Sequence, residues 1–301
     1  MAISRSQLLK ELLPGLNSLF GLEYKQHPEE WRQVFETENS DRSFEEEVKL
    51  SGFGLAGTKD EGAAITYDDA QEAYTSRYVH NTIAMGFSLT EEAIEDNLYA
   101  SLSARYTKAL ARAFQHTKEI KGAAVLNEGF TGQVGGDGVN LLSTAHPLVN
   151  GGTNSNEPST PADLNETSLE AAVIQIGKWT DERGLKIAAR PQKLIIPSDL
   201  QFEAERILKS TMRAGTADND VNALASTSAI PGGYMVHHFL TDPDAWFLTT
   251  DVANGLKHFV RVGMKTSMEG DFETGNVKYK GRERYSFGYS DPLGIFGSPG
   301  A

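Results

Sequence analysis

The chain has 301 residues, 39% hydrophobic and 23% charged, which is enough for one large core or two modest ones. It contains no cysteine, so disulfides and thiolate metal sites are excluded and assembly in a reducing compartment is expected. A net charge of -13 argues against a nucleic-acid reader, because phosphate neutralisation needs a basic surface, though DNA can still be a neighbour.

At the N-terminus Leu8, Leu9, Leu12, Leu13, Leu16, Leu19 and Phe20 cluster, but Lys10, Glu11 and Pro14 interrupt them. No apolar signal region and no membrane-spanning run of about 20 residues remains, so the segment reads as an amphipathic arm. Residues 40–87 are rich in Gly, Asp, Glu and Ser, with alternation at Phe44, Glu46, Val48 and Leu50 and again at Tyr74, Ser76 and Tyr78. This predicts two exposed strands joined by a tip around Thr58 to Gly62, a polar hairpin that needs a partner surface. Ser88 and Glu91 then suggest a capping box opening a helix from Thr90 to about Glu119. Its stripe is Ile94, Leu98, Leu102, Tyr106, Leu110 and Ala113, and its length roughly 45 Å at 1.5 Å per residue.

Residues 121–165 turn to Gly, Asn, Ser, Thr and Pro, which reads as a loop-rich crossover with a short hairpin. Thr167 and Glu170 suggest a second capping box, Leu169, Val173, Ile176 and Trp179 an apolar stripe, and Gly184 the stop. Lys193 to Ile196 reads as a buried strand, Ser198 to Lys209 as a helix, and Tyr234 to Phe239 and Trp246 to Leu248 as strands of a compact α/β domain. Finally Leu256 to Met268 and Val277 to Tyr289 alternate, mostly apolar against largely basic positions, with Glu269 to Asn276 as their turn. That predicts a hairpin about 43 Å long with one apolar and one cationic face.

Charge is unevenly spread. From Glu23 to Asp96 eighteen acids face six bases, a net of -12, whereas residues 256–284 carry a net of +3. Either these are solvated faces, or they are complementary surfaces.

Hints of chemistry do not assemble into a site. Gly52, Gly54 and Gly57 spell a dinucleotide-type pattern, but no buried strand precedes it and no helix follows. Asp218, Asp220 and Asn222 imitate a calcium loop that Ala223 and Ala229 break. His237 and His238, with Asp242 and Asp244 nearby, sit on a predicted strand that would point them to opposite faces, so they read as structural. His146, near Ser143 and Thr144, lacks a nucleophile elbow and reads as a turn histidine satisfied by backbone. No catalytic, cofactor or metal residue is assigned, and no enzyme activity is expected.

Three stretches are the most specific. They are Leu141-Leu142-Ser143-Thr144-Ala145-His146-Pro147, Asp244-Ala245-Trp246-Phe247-Leu248, and Arg284 to Gly297 with Asp291-Pro292-Leu293-Gly294-Ile295-Phe296-Gly297. With the order of elements, they resemble the major capsid proteins of tailed bacteriophages, the Hong Kong 97 fold, along essentially the whole chain. The resemblance implies an α+β fold: an N-terminal arm (1–39), an extended E-loop (40–88), a peripheral domain of spine helix and long β-hairpin (89–125 and 250–301), and an axial domain with its crossover (126–249). It implies self-assembly into hexamers and pentamers of an icosahedral head shell around double-stranded DNA held as non-specific content. Assembly would occur in the bacterial cytoplasm, without membrane or cofactor. The founding member starts with a scaffolding segment that is cleaved, whereas this chain starts at the arm, so a separate scaffold protein is expected beside portal and decoration proteins. Lys59 lies near the loop tip, but no acid for a lysine-to-asparagine crosslink accompanies it, so a non-covalent shell is expected. The charge separation then has a purpose. Glu45, Glu46, Glu47, Asp60 and Glu61 of one subunit would reach Lys257, Arg261, Lys265, Lys278, Lys280, Arg282 and Arg284 of another. The alternatives are an encapsulin-like compartment and an unrelated α/β enzyme.

Overall fold

A computed structural model describes the backbone of residues 5–92, 99–212, 220–271 and 273–301. The leucine-rich arm is helix α1 (Arg5–Gln26), and the long helix is α2 (Tyr99–Asn127), which continues past the predicted end at Glu119. Leu16 and Phe20, one turn apart on α1, bury against Leu110, Ala111 and Phe114 of α2. Ile94 and Leu98 of the expected stripe, and the Leu102 side chain, lie outside the described residues. The rest of that stripe needs correction. Four residues turn a helix by about 400°, so a strict four-residue row drifts by about 40° per step and cannot follow one buried face along its whole length. Tyr106 is accordingly 47% exposed, while Ser103, Thr107, Leu110, Phe114 and Lys118 are buried at mixed three- and four-residue spacing.

Among the described residues there are twelve strands. β1 (Glu36–Asn39), β2 (Phe44–Leu50), β3 (Glu72–Val79) and β4 (Asn81–Leu89) precede α2, and β5 (His146–Pro147) and β6 (Thr153–Asn154) form a short hairpin after it. Helices α3 (Glu166–Ile176), α4 (Gln201–Lys209) and α5 (Ala223–Ser226) alternate with β7 (Pro191–Ile196), β8 (Tyr234–Val236) and β9 (Trp246–Thr250). The chain closes with β10 (Leu256–Gly270), β11 (Val277–Tyr289) and β12 (Ile295–Ser298).

One sheet has the order β1-β10-β11-β4, with β1 parallel to β10 and the other pairs antiparallel. Alternation along β11 buries Val277, Tyr279, Glu283 and Tyr285 and exposes Lys278, Lys280 and Arg282. Between them Gly281 faces α2, where any Cβ would stand 2.7 Å from the Phe114 ring, so the missing side chain lets the helix seat on the sheet. β2 and β3 pair from Phe44 with Val79 to Leu50 with Glu72, and residues 51–71 between them form neither helix nor strand. β4, assigned above to the loop, instead joins β11, and Ser88 lies within it and not in a capping box. The chain passes from one sheet to the other at His80, whose buried ring meets Ser286 Oγ at 3.0 Å through Nδ1 and Ser40 Oγ at 2.8 Å through Nε2. Both ends of the loop are thereby tied at one imidazole.

Nearby on β10, His258 is buried between Trp31 and Phe287, with ring centroids 4.3 and 4.4 Å away, and its Nε2 has no hydrogen-bond partner among the described residues. Burial, aided by the Lys118 and Arg32 charges, lowers its pKa to about 3. The unfolded chain then binds a proton near neutral pH that the folded chain refuses, so stability falls as pH drops from about 6.5 toward 3. His258→Phe should remove about 2–3 kcal/mol of the difference between unfolding free energies at about pH 7 and pH 4.5, read by urea titration of dissociated subunits. An unchanged pH slope would refute this.

The second sheet, β12-β9-β7-β8, carries the axial-type half. Leu194 and Ile196 of β7 and Trp246 and Leu248 of β9 face a core with Leu169, Ile176, Trp179 and Ala204. The intervening Ile195 and Phe247 face a second core with Leu126, Leu141, Leu142, Leu256 and Ile295, which joins this half to the end of α2. Helix α3 starts two residues earlier than expected. Its N-cap is Asn165, whose box closes on Ser168, because Asn165 Oδ1 accepts from Ser168 N–H at 2.8 Å. Gly177 caps its end, so Trp179 lies beyond the helix and Gly184 serves a later turn at φ +83°. His146 is satisfied by side chains instead of backbone: Nδ1 meets Asp137 Oδ2 at 2.6 Å and Nε2 meets Asn156 Oδ1 at 3.0 Å. Asn222 N-caps α5, while Asp218 of the imitated calcium loop lies outside the described residues.

Candidate intersubunit surface

β11 sits between β10 and β4, and its even-numbered residues point away from α2. Cross-strand register places Lys265 opposite Arg282, and Arg282, Lys280 and Lys278 opposite Ala84, Gly86 and Ser88 of β4. The small β4 side chains leave the cations standing clear. Two like charges directly opposite are unfavourable unless something anionic covers them. Among the described residues Lys265, Lys280 and Arg282 form no ion pair, while Lys278 Nζ reaches Asp271 Oδ2 at 2.7 Å.

The acidic side divides in two. Asp60 and Glu61 lie in the exposed 51–71 segment and pair with nothing among the described residues. The same segment exposes Phe53, Leu55, Ile65 and Tyr67, the last at 90%. Large apolar groups so far from water-excluding contacts mark an interaction surface. Its base is held to its own chain, where Asp68 accepts both 2.7 and 2.8 Å hydrogen bonds from Arg183 and one of 2.7 Å from Gly54 N–H. These donors hold Asp68 below the usual carboxylate range, the backbone hydrogen bond from Gly54 first and Arg183 next.

Other expected contact residues are occupied within one chain. Lys257 Nζ lies 2.5 Å from Glu47 Oε1 and 2.8 Å from Glu38 Oε1, with only 3% of its side chain exposed. Burial alone would lower its pKa, but the hydrogen bonds it donates to Glu38 and Glu47 hold it above the usual value. This corrects the expectation that Glu47 and Lys257 meet across subunits: Lys257 sits on the fully buried start of β10 and needs its counterions from the same fold. Glu45 accepts from Ser40 Oγ at 2.6 Å, Glu46 stands 3.7 Å from Arg77, Arg284 donates to His80 O, and Arg261 donates to Ser40 O. Sequence reading missed these pairings because no local signal shows that β1 and the β2–β3 hairpin converge on β10.

The profile of a family described as phage capsid protein matches residues 72–297. The chain belongs to the phage capsid protein family. The match runs from β3 through β12 and so includes α2, both sheets and the cationic face. Capsid proteins of this fold are recognised among solved structures as well. The capsid of a native GTA particle aligns at TM-score 0.54 and 16% identity, covering 88% of this chain and 87% of that one. A virus-like particle from Pyrococcus furiosus aligns at TM-score 0.52 and 10% identity over 96% and 99%. An encapsulin from Synechococcus elongatus PCC 7942 aligns at TM-score 0.52 and 9% identity over 91% and 88%. At such identities these likenesses establish the α+β capsid fold. No curated protein matches the sequence. The phage capsid protein is a structural subunit that self-assembles into the head shell of a virion, and it is not an enzyme.

Proposed function

We propose that this capsid protein builds an icosahedral shell of hexamers and pentamers around double-stranded DNA, in which the 51–71 segment of each subunit lies across the cationic face of a neighbour's β10-β11-β4 sheet. The observation that supports the reading is the uncompensated row Lys265, Lys280 and Arg282 on an open sheet face, together with Asp60 and Glu61 on an exposed segment of the same chain. One exposed pair contributes only about 0–1 kcal/mol and is screened by salt, so the effect belongs to the repeat of contacts over a closed shell. A separate scaffold protein, a portal and decoration proteins would act on this shell in the host cytoplasm, and the bonds between subunits would be non-covalent.

Lys265→Glu, Lys280→Glu and Arg282→Glu combined should leave the circular dichroism and melting of the subunit unchanged and abolish closed shells in negative-stain electron microscopy. Asp60→Lys with Glu61→Lys should restore part of the assembly. Normal shells from the triple variant at low salt would sink the assignment. The glutamates of β2 are unsuited to the same test, because reversing Glu47 would strip the buried Lys257 of a counterion before assembly is reached.

A further inference from the structure

Where the segment after α1, the last turns of α2 and the end of β8 converge, Glu30, Glu119 and His237 bring one carboxylate or imidazole ligand atom each to within 4.8 Å of one another. The sequence argument against metal there assumed that His237 continues a strand. β8 ends at Val236, so alternation no longer applies, and His237 and His238 both turn to Glu30. His238 Nδ1 holds Glu30 Oε1 at 2.5 Å, and its backbone N–H donates to Oε2 at 2.9 Å. The Glu119 carboxylate accepts the N–H groups of Glu30 and Trp31 at 2.9 and 3.0 Å. Both carboxylates are therefore fixed in orientation, and each oxygen keeps a further lone pair.

The imidazole of His237 is fully buried. Its Nδ1 stands 3.4 Å from Glu30 Oε2 and accepts the Phe239 N–H only at a long 3.4 Å, and its Nε2 has no partner among the described residues. Ligand atoms about 3.4 Å apart form the edge of a tetrahedron with bonds of about 2.1 Å, the length zinc takes to nitrogen and oxygen. Among the described residues no lysine or arginine pairs with Glu30 or Glu119, so two carboxylates share this buried corner with the exposed His238 as their cationic neighbour.

We propose that Glu30, Glu119 and His237 form a binding site for a first-row divalent cation of the zinc class, with water in the open position. Two carboxylates and a neutral imidazole balance a dication's charge, and the nitrogen donor favours such an ion over magnesium or calcium. The bound ion ties the arm, the long helix and the second half of the fold at one point.

The test dialyses the full-length subunit against buffered zinc chloride and measures bound metal by mass spectrometry, alongside thermal unfolding with zinc and with chelator. About one equivalent per subunit and a higher melting temperature with zinc are expected. Glu119→Gln and His237→Gln should each weaken binding by roughly 10- to 100-fold and remove the zinc-dependent shift. Should a variant fail to fold, cobalt added to the wild-type chain gives an independent reading: intense tetrahedral ligand-field bands support the site. Absence of stoichiometric zinc and of these bands overturns the proposal. So does equal zinc binding by the folded variants.

Discussion

Glu283→Ala should destabilise the subunit by roughly 3–5 kcal/mol, because it strips a buried ammonium of its counterion. Glu283 is 1% exposed on β11, and its Oε2 lies 2.7 Å from Lys118 Nζ of α2 and accepts from the Tyr24 hydroxyl of α1 at 3.2 Å. One carboxylate thus joins three elements. Burial raises its pKa and Lys118 opposes the rise, so the ion pair is held against a desolvation cost. After the substitution Lys118 keeps the Tyr24 oxygen at 2.7 Å and stands 5.0 Å over the Tyr285 ring, which offsets part of the loss. The combined change Lys118→Met and Glu283→Leu should recover most of it, since an apolar pair of similar volume leaves no orphaned charge. Urea unfolding of the dissociated subunits checks both. A cost below about 1 kcal/mol for Glu283→Ala would show that the aromatic rings alone hold the lysine.

Asn156→Ala should cost about 3–4 kcal/mol, and the isosteric Asn156→Asp at least as much. Asn156 is fully buried, and its Nδ2 donates to Leu141 O and Pro292 O at 2.8 Å and to Ile295 O at 3.2 Å. Its Oδ1 accepts the Ser143 N–H at 2.9 Å and faces His146 Nε2. Alanine leaves carbonyls and an N–H group without partners inside the fold. Aspartate preserves the shape yet aims a carboxylate at three carbonyl oxygens, so volume does not predict the outcome. Melting of both variants decides it: an aspartate variant as stable as wild type would mean that this side chain does not hold the 141–146 segment to the chain's last strand.

The long hairpin and the β2–β3 pair were legible because period-two alternation survives wherever one face is wet and the other dry. Helix α2 was legible as a helix but not in its buried face, since a row read every four residues crosses that face at an angle, with Tyr106 exposed and Leu110, one step on, buried. The start of α3 was misread because capping is decided by which oxygen reaches a free N–H, and Asn165 wins over Thr167 through geometry that composition does not encode. The pairing of Lys257 with Glu47, and the meeting of Glu30, Glu119 and His237, join residues separated by most of the chain. Only the folded topology brings such groups together. His146 shows the same limit at short range, for its partner Asp137 is a neighbour in sequence but looked like part of a glycine-rich loop.

The burial of both faces of β9 has an evolutionary side. From Lys278 to Arg282 every second residue of β11 meets solvent, so sequence drift has a permitted lane in which side chains can change size and polarity while the sheet persists. Trp246, Phe247 and Leu248 have no such lane, because consecutive residues feed two different cores. A lineage descending from this capsid protein can rewrite the charge pattern of that exposed face far more freely than it can alter three adjacent letters in the middle of its second sheet.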